Sequence, residues 1–355
     1  MKIGIDATPL TVATGGIARY TRELALALAR CFPDDQLWLV SDQAFPVFEE
    51  QPISLRRYQA SGGILERRWW LFGLPRLIQR LGLDVFHGTD FAVPYFRLRP
   101  AVMTVHDLSP WKNEPWRSPS ERVRSRTPLL LRAGLATMII APSQAIRHEV
   151  IDWFRFPADR VVAIPMAPAP SLRPSSGRAL PQPYFLFVGT LEPRKNLIML
   201  VEAWREVRRT CSVELVIAGR LPPDAEPIPP EPGLHYFDTV PDADLPDFYS
   251  GALAVLLPSF YEGFGITVLE AMQCGAAVFA SDDPALQETG GDAALYLDPN
   301  QARQWIEAMT HAVQDTAWLA ALRAKGLQRA GEFTWDRTAR LTREVYVEAV
   351  RRFRR

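Results

Sequence analysis

Two glutamates, Glu262 and Glu270, stand with seven residues between them in the segment Ser259-Phe-Tyr-Glu-Gly-Phe-Gly-Ile-Thr-Val-Leu-Glu-Ala-Met-Gln-Cys-Gly275. The apolar run before it ends at Pro258, so the spacing predicts a buried strand, a glycine-flanked loop holding Glu262, and a helix starting near Gly265. Free amides at that helix start, aided by its dipole, would hold a diphosphate. Gly263 and Gly265 have no Cβ to keep an anion away, and Gly263, Phe264, Gly265 and Ile266 are read as the phosphate-facing stretch. A loop carboxylate such as Glu262 can accept hydrogen bonds from sugar hydroxyls, and Glu270, in the second turn, can bind a ribose diol. The plainer reading is an amphipathic helix with a glutamate satisfying backbone amides at its start.

Other residues could serve the same chemistry. Arg194 and Lys195 follow an apolar run, where two cations would neutralise charge growing on a departing diphosphate. Solvated charges at a helix start are the alternative, but the helix dipole disfavours cations there. Gly15-Gly16 follows the first apolar run and precedes a helical pattern, so its amides can face phosphate. An ordinary strand-to-helix loop would look the same. His106 ends the run Ala101–Val105, and a histidine there donates or accepts near neutral pH, or serves only as a structural hydrogen-bonder. Asp107 beside it is equally an orienting partner or a turn residue. His87, at another strand end, is a weaker candidate for lining the acceptor side.

Such side chains need elements to carry them. Strand-like runs fall at Lys2–Ala7, Gln36–Ser41, Asp84–His87, Ala101–Asp107, Thr137–Ser143 and Arg160–Pro165, with a helical pattern over Ile17–Arg30. The series restarts at Tyr184–Thr190, Val213–Gly219, Leu234–Thr239, Leu253–Pro258 and Ala276–Ser281, with helices at Leu197–Arg208, Ile266–Cys274 and Gln301–Val313. Strand-helix alternation of this kind implies parallel, doubly wound sheets. The expected organisation is a Rossmann-like domain over 1–170, a Pro-rich linker over 171–183, and a second Rossmann-like domain over 184–334. A last helix, 335–355, is expected to return to the N-terminal domain. Ligands would then bind in a cleft between strand-end faces. Leu221–Gly233, rich in proline, reads as a surface loop.

A chain of 355 residues exceeds one typical core, in agreement with two domains. Its 48% apolar and 23% charged content is that of a globular protein. Net charge is zero, yet residues 1–170 carry 21 Lys and Arg against 16 Asp and Glu, a net of +5 that leaves −5 for the rest. Nucleic-acid binding would need a stronger basic balance. Three scattered cysteines, Cys31, Cys211 and Cys274, form neither a disulfide framework nor a metal cluster and suit a reducing compartment. Asp282-Asp283 lacks further ligand spacing and is a weak metal candidate. With no signal peptide and no run long enough to span a bilayer, a cytoplasmic protein is expected. Arg67-Arg-Trp-Trp and the arginine-rich stretch Arg117–Arg132 could lie on an anionic bilayer, placing the protein at the inner face of the plasma membrane. Trp69 and Trp70 could equally be core.

The Glu262–Glu270 spacing with Gly-Phe-Gly-Ile between them resembles the paired-glutamate motif of family 4 glycosyltransferases. So do Gly4-Ile-Asp-Ala, Gly15-Gly-Ile-Ala-Arg-Tyr, Val105-His-Asp-Leu, Val188-Gly-Thr-Leu-Glu-Pro-Arg-Lys-Asn and Phe333-Thr-Trp, in their order along nearly the whole chain. The resemblance implies the GT-B architecture, retention of anomeric configuration and no metal or other cofactor. It implies catalytic roles for His106, Glu262, Lys195 and Arg194, and donor binding by Gly15, Gly16, Gly263, Phe264, Gly265, Ile266 and Glu270. Many relatives carry an arginine directly after the glycine where this chain has Thr190, so Arg194 either supplies that charge or the leaving group is held differently. The pattern Glu192-Pro-Arg-Lys-Asn is similar to bacterial mannosyltransferases of O-antigen and exopolysaccharide assembly. The expected donor is therefore GDP-mannose and the expected acceptor a saccharide or lipid-linked saccharide. A sugar-nucleotide epimerase of the same fold, or a non-catalytic nucleotide-sugar-binding partner in glycan assembly, are the competing readings. A dinucleotide oxidoreductase is weaker, since no Gly-x-Gly-x-x-Gly follows a strand.

Overall fold

Short runs of branched and aromatic residues become strands, and the amphipathic stretches between them become crossover helices. The first series is β1 (Lys2–Asp6), α1 (Gly16–Cys31), β2 (Gln36–Ser41), β3 (Leu55–Gln59), α2 (Leu74–Leu81), β4 (Val85–Gly88), β5 (Ala101–Thr104), α3 (Glu121–Arg132), β6 (Met138–Ala141), α4 (Gln144–Phe154) and β7 (Val161–Ala163). The second is β8 (Tyr184–Val188), α5 (Leu197–Arg208), β9 (Glu214–Ala218), β10 (Leu234–Phe237), α6 (Leu245–Gly251), β11 (Ala254–Leu257), α7 (Ile266–Gln273), β12 (Ala277–Ser281), α8 (Pro284–Gly290), β13 (Leu295–Leu297), α9 (Ala302–Gln314) and α10 (Thr316–Ala330). A final helix, α11, runs over Trp335–Phe353. These come from a computed structural model that describes residues 1–12, 15–46, 52, 54–59, 68–116, 120–222 and 228–353.

Two units result. Unit 1 comprises Met1–Trp111, Ser118–Met166 and Thr334–Arg355; unit 2 comprises Lys112–Arg117 and Ala167–Phe333. Each holds one sheet, ordered β3-β2-β1-β4-β5-β6-β7 in unit 1 and β10-β9-β8-β11-β12-β13 in unit 2. Pairing is parallel throughout, as in the β1–β4 register Ile3↔Val85 and the β8–β11 register Leu186↔Val255.

In unit 2 the period of two along each strand feeds two cores. Tyr184 and Leu186 join Val216, Val255 and Met272, whereas Phe185 and Phe187 join Trp204, Phe279 and Trp305 on the other face. Both faces are therefore covered by helices, which is why these strands read as continuous apolar runs. Each such side chain contributes about 1.5–3 kcal/mol when fully buried. In unit 1, α11 is tied down by polar bonds as well as packing. Arg343 Nε donates to Asp35 at 2.6 Å, Thr338 Oγ1 to the Pro165 carbonyl at 2.8 Å, and Arg352 to Asp159 at 2.6 Å.

Several boundaries differ from the sequence reading. The strand expected over Ala101–Asp107 stops at Thr104, because Asp107 Oδ1 accepts from the Ser109 amide and hydroxyl at 2.8 and 2.7 Å and turns the chain. Strands β3 and β13 were not expected. The first is a polar edge strand, Leu-Arg-Arg-Tyr-Gln, and the second is only three residues long. The expected linker 171–183 is bound into unit 2: Gln273 Nε2 donates to the Leu172 carbonyl, and the Ser175 amide donates to Ser250 Oγ at 2.9 Å. The unit boundary falls at Met166–Ala167 instead. Of the expected surface loop, 223–227 lie outside the described residues, as do Arg67 and 117–119 of the basic stretches.

Candidate active site

The strand order of unit 2 reverses between β8 and β11, so the loops after these strands open side by side, the usual ligand position in such sheets. One loop carries Arg194 and Lys195 and the other Glu262. A close approach at the end of β9 shapes the first loop. A Cβ on Gly219 would sit 1.8 Å from the Gly189 carbonyl oxygen, so only glycine fits there.

The two loops are stitched together by charge. Lys195 Nζ donates to Glu262 Oε1, and Arg194 donates to Glu262 Oε2 and to the Tyr261 carbonyl, both at 3.1 Å. Arg194 Nε also donates to Glu192 at 2.7 Å, and the Phe260 amide to the Arg194 carbonyl at 2.8 Å. Ser259 Oγ supplies a further hydrogen bond to Glu262 Oε1 at 2.7 Å. Burial by itself would raise the Glu262 carboxyl, but the Lys195 and Arg194 charges outweigh it and hold it at about 2. Burial and the neighbouring Arg194 charge lower Lys195, against the pull of Glu262. At neutral pH Glu262 is an ionised carboxylate held between Lys195 and Arg194.

Gly265 adopts φ +84°, and a Cβ there would lie 2.4 Å from Leu286 Cδ2. Helix α7 starts directly after it, with no side-chain cap and no acidic residue in its first turn, so no side chain of its own offsets the positive end of its dipole. Ile266 is the first helical residue. Phe264 is committed to packing instead: its side chain is buried against Phe333, and its carbonyl accepts from Thr289 Oγ1 at 2.5 Å. Glu270 is buried one turn further on, and Tyr249 Oη donates to its Oε2 at 3.0 Å.

The remaining expected residues lie in unit 1. Gly15 and Gly16 open α1, again without a side-chain cap, and a Cβ on either would meet nothing within 4 Å. His106 Nε2 lies 2.8 Å from the Thr89 carbonyl, so it carries the proton, and in the neutral ring Nδ1 is the acceptor. Tyr20 packs edge-on against its ring at 5.1 Å. Asp107 Oδ1 caps the turn at Ser109. His87 is not a lining residue: it is fully buried, 2.7 Å from both Tyr346 Oη and Thr104 Oγ1. Burial, with His106 nearby, lowers it to about 3, so it is a neutral interior hydrogen-bonder. Trp69 is buried among Val40, Leu74 and Phe86, which places it in the core, and the partly buried Trp70 packs against the same cluster. Among the described residues no helix is long and apolar enough to cross a membrane, and no group of three His, Cys, Asp or Glu could hold a metal ion.

The family model described as Glycosyltransferase Family 4 matches residues 14–167, and that described as Glycosyl transferases group 1 matches residues 169–329. Over 380 aligned residues the chain is 32% identical to O-antigen chain mannosyltransferase B of Escherichia coli, covering 98% of this chain and 99% of that protein. The chain belongs to glycosyltransferase family 4. A D-inositol 3-phosphate glycosyltransferase of Kineococcus radiotolerans is 30% identical over 251 residues, covering 61% of this chain and 58% of that one. Sucrose-phosphate synthase from Thermosynechococcus elongatus shares the GT-B fold with a TM-score of 0.79 at 20% identity, covering 98% of each chain. Anabaena HepE, solved with UDP-glucose, gives 0.73 at 18% identity over 98% of this chain and 100% of that one.

Two parts of this candidate site were missed in the sequence. Asp283, considered only as a metal ligand, accepts from the Ala285 and Leu286 amides at 2.8 and 3.2 Å and from the Glu262 amide at 3.3 Å. Burial raises its carboxyl to about 6 against those bonds. The signal was present: Asp before Pro at a helix start is a capping pattern. The other is the short segment of unit 2 near Lys112. Trp116 stacks on Tyr261 at 5.7 Å, and Lys112 Nζ stands 4.5 Å over the same ring, bracing the loop of Glu262. Nothing local in the sequence links residues so far apart.

Proposed function

We propose that this glycosyltransferase is a retaining mannosyltransferase, moving mannose from GDP-mannose to a hydroxyl of a saccharide or lipid-linked saccharide. The observation that carries this reading is the Glu262–Lys195–Arg194 cluster beside the uncapped start of α7: basic side chains, amides and a buried carboxylate at one switch point. Similarity along the full length to O-antigen chain mannosyltransferase B supports mannose as the sugar.

As the glycosidic bond of the donor breaks, negative charge grows on the diphosphate. Lys195, Arg194 and the first amides of α7 stabilise it. Arg194 thereby supplies the charge that relatives place at the position of Thr190. A carboxyl held at about 2 is a poor general base, so Glu262 orients sugar hydroxyls rather than taking a proton. The leaving phosphate accepts the proton of the acceptor hydroxyl on the same face, which retains configuration. Glu270 holds the ribose diol, and His106, with Nδ1 as its acceptor nitrogen, serves the acceptor side. The two cations do the work a metal would otherwise do, in a cytoplasmic reaction. Any peripheral contact with anionic lipid would rest on Arg122, Arg124 and Arg132 of α3 instead of Trp69.

Purified protein should release GDP from GDP-mannose in the presence of an acceptor, give an α-linked product by NMR, and keep its rate in EDTA. An inverted product, or activity lost in EDTA and restored by Mg²⁺, refutes the mechanism.

A further inference from the structure

Unit 1 buries a chain of polar side chains that none of the roles above uses. Tyr346 Oη of α11 lies 2.7 Å from His87 Nδ1 of β4, and His87 Nε2 lies 2.7 Å from Thr104 Oγ1, at the end of β5. Thr104 Oγ1 in turn lies 3.1 Å from Tyr20 Oη of α1. Four elements therefore meet through one line of hydrogen bonds, and no member is more than 3% exposed.

Stability alone does not call for such a chain. Each polar group gives up its hydration on burial, and the bonds do little more than offset that loss, so apolar groups of the same shape would serve the fold about as well. What a satisfied buried network adds is fixed orientation. Burial keeps the members neutral: with His106 nearby it lowers His87 to about 3, and it raises Tyr20 and Tyr346 above the usual phenol range. In a neutral imidazole one nitrogen donates and the other accepts, so His87 ties Tyr346 to Thr104 through both sides of its ring.

The chain ends against His106. The Tyr20 ring meets the His106 ring edge-on, with centroids 5.1 Å apart and planes at 86°. Trp335 of α11 stands behind Tyr20 at 6.2 Å. Trp335 and Tyr346 are about three turns apart on one face of α11, so the helix holds Tyr20 by its ring and, through His87 and Thr104, by its hydroxyl. The bond from His106 Nε2 to the Thr89 carbonyl fixes one nitrogen but leaves the plane of the ring free to tilt. Edge-on contacts with Tyr20 and, at 6.4 Å, Phe91 restrict that tilt.

We propose that Tyr20 is a positioning residue for His106, its hydroxyl held by the Thr104–His87–Tyr346 chain, so that α11 sets the plane of the His106 ring. The catalytic use of that ring rests on the glycosyltransferase reading; its positioning does not.

Side-chain NMR of the full chain carrying isotope-labelled histidine tests it, beside GDP release from GDP-mannose with octyl α-mannoside as the acceptor probe. In the wild type His106 should be a single tautomer protonated at Nε2. Tyr346→Phe deletes one hydroxyl at the far end of the chain; it should split or broaden the His106 ring signals and lower kcat about threefold, with KM for GDP-mannose unchanged. Tyr20→Leu removes the ring contact as well and should lower kcat about tenfold, and Tyr20→Phe, which keeps the ring, should recover part of that loss. Arg343→Gln releases α11 from Asp35 without touching the chain, so it should lower the melting temperature and leave kcat and the His106 signals as they are. The inference is overturned if Tyr346→Phe leaves the His106 signals unchanged, or moves them with no effect on kcat. It is equally overturned if Arg343→Gln lowers kcat as much as Tyr346→Phe, since the chain would then act through stability alone. A wild type that transfers no sugar from GDP-mannose strikes at the proposed function, and the His106 signals by themselves then decide the positioning.

Discussion

Replacing Lys195 by Met tests the charge cluster at its most loaded point. Glu262 is buried, and its carboxyl lies at about 2 against an ordinary 4.5 because Lys195 and Arg194 overcome the effect of burial. That difference is equivalent to about 3 kcal/mol of stability at neutral pH. The folded value lies below the unfolded one, so this stabilisation is complete above pH 4.5 and is lost as pH falls through 2. Lys195→Met removes one of the two cations and leaves the carboxylate short of compensation, for an expected loss of about 2–3 kcal/mol at pH 7. For a unit of this size that lowers the melting temperature by about 5–10 °C. Adding Glu262→Gln to the variant should restore much of the loss, because the uncompensated charge disappears with it. Melting curves of wild type, both single variants and the double variant at pH 7 and pH 3 measure this coupling. Kinetically, Lys195→Met should lower kcat about a hundredfold while weakening the donor Kd much less, since phosphate charge grows in the transition state. Strictly additive single effects, or a Kd loss as large as the kcat loss, would refute the assignment.

Three further outcomes are expected. Glu270→Gln keeps the size of a buried side chain, and it should weaken GDP and GDP-mannose alike by about 1–3 kcal/mol in titration calorimetry; unchanged nucleotide affinity counts against the ribose role. Gly265→Ala forces a Cβ into φ +84° and onto Leu286, so it should cost at least about 1–2 kcal/mol in thermal unfolding and weaken nucleotide binding as the start of α7 shifts. The Asp6 carboxyl, raised by burial from 3.8 to about 7, contributes stability that is complete below pH 3.8 and lost as pH rises through 7; melting of wild type from pH 5 to 8 should therefore decline by about 2–3 kcal/mol relative to Asp6→Asn, and parallel profiles would refute it.

Local patterns carried the architecture because the features that set it are local. A parallel strand buried on both faces must be an apolar run such as Tyr184–Val188, whose alternate residues feed the two cores of unit 2. A helix that must begin beside a ligand needs Gly265, whose backbone conformation excludes a side chain. Polar edge strand β3 escaped for the converse reason: Arg56 and Arg57 have one side in solvent and obey no apolar rule.

Pairings between distant side chains were decided only by the tertiary structure. Lys195 meets Glu262 across 67 residues because β8 and β11 are neighbours in the sheet, and sheet order is not written in either segment. Burial also depends on what packs above a residue. His87 looked like a strand-end ligand, yet Tyr346 of α11, 259 residues away, makes it a neutral interior group. Trp69 looked suited to a bilayer or a core, and the cluster around Val40 and Phe86 buries it, while Trp70 is partly buried against the same cluster. The sequence by itself determined where most apolar strands run and where helices such as α7 open, since backbone sterics and apolar periodicity act over a few residues. Which of those ends share a site, and what charge each group then carries, depended on desolvation and long-range packing that only the folded chain supplies.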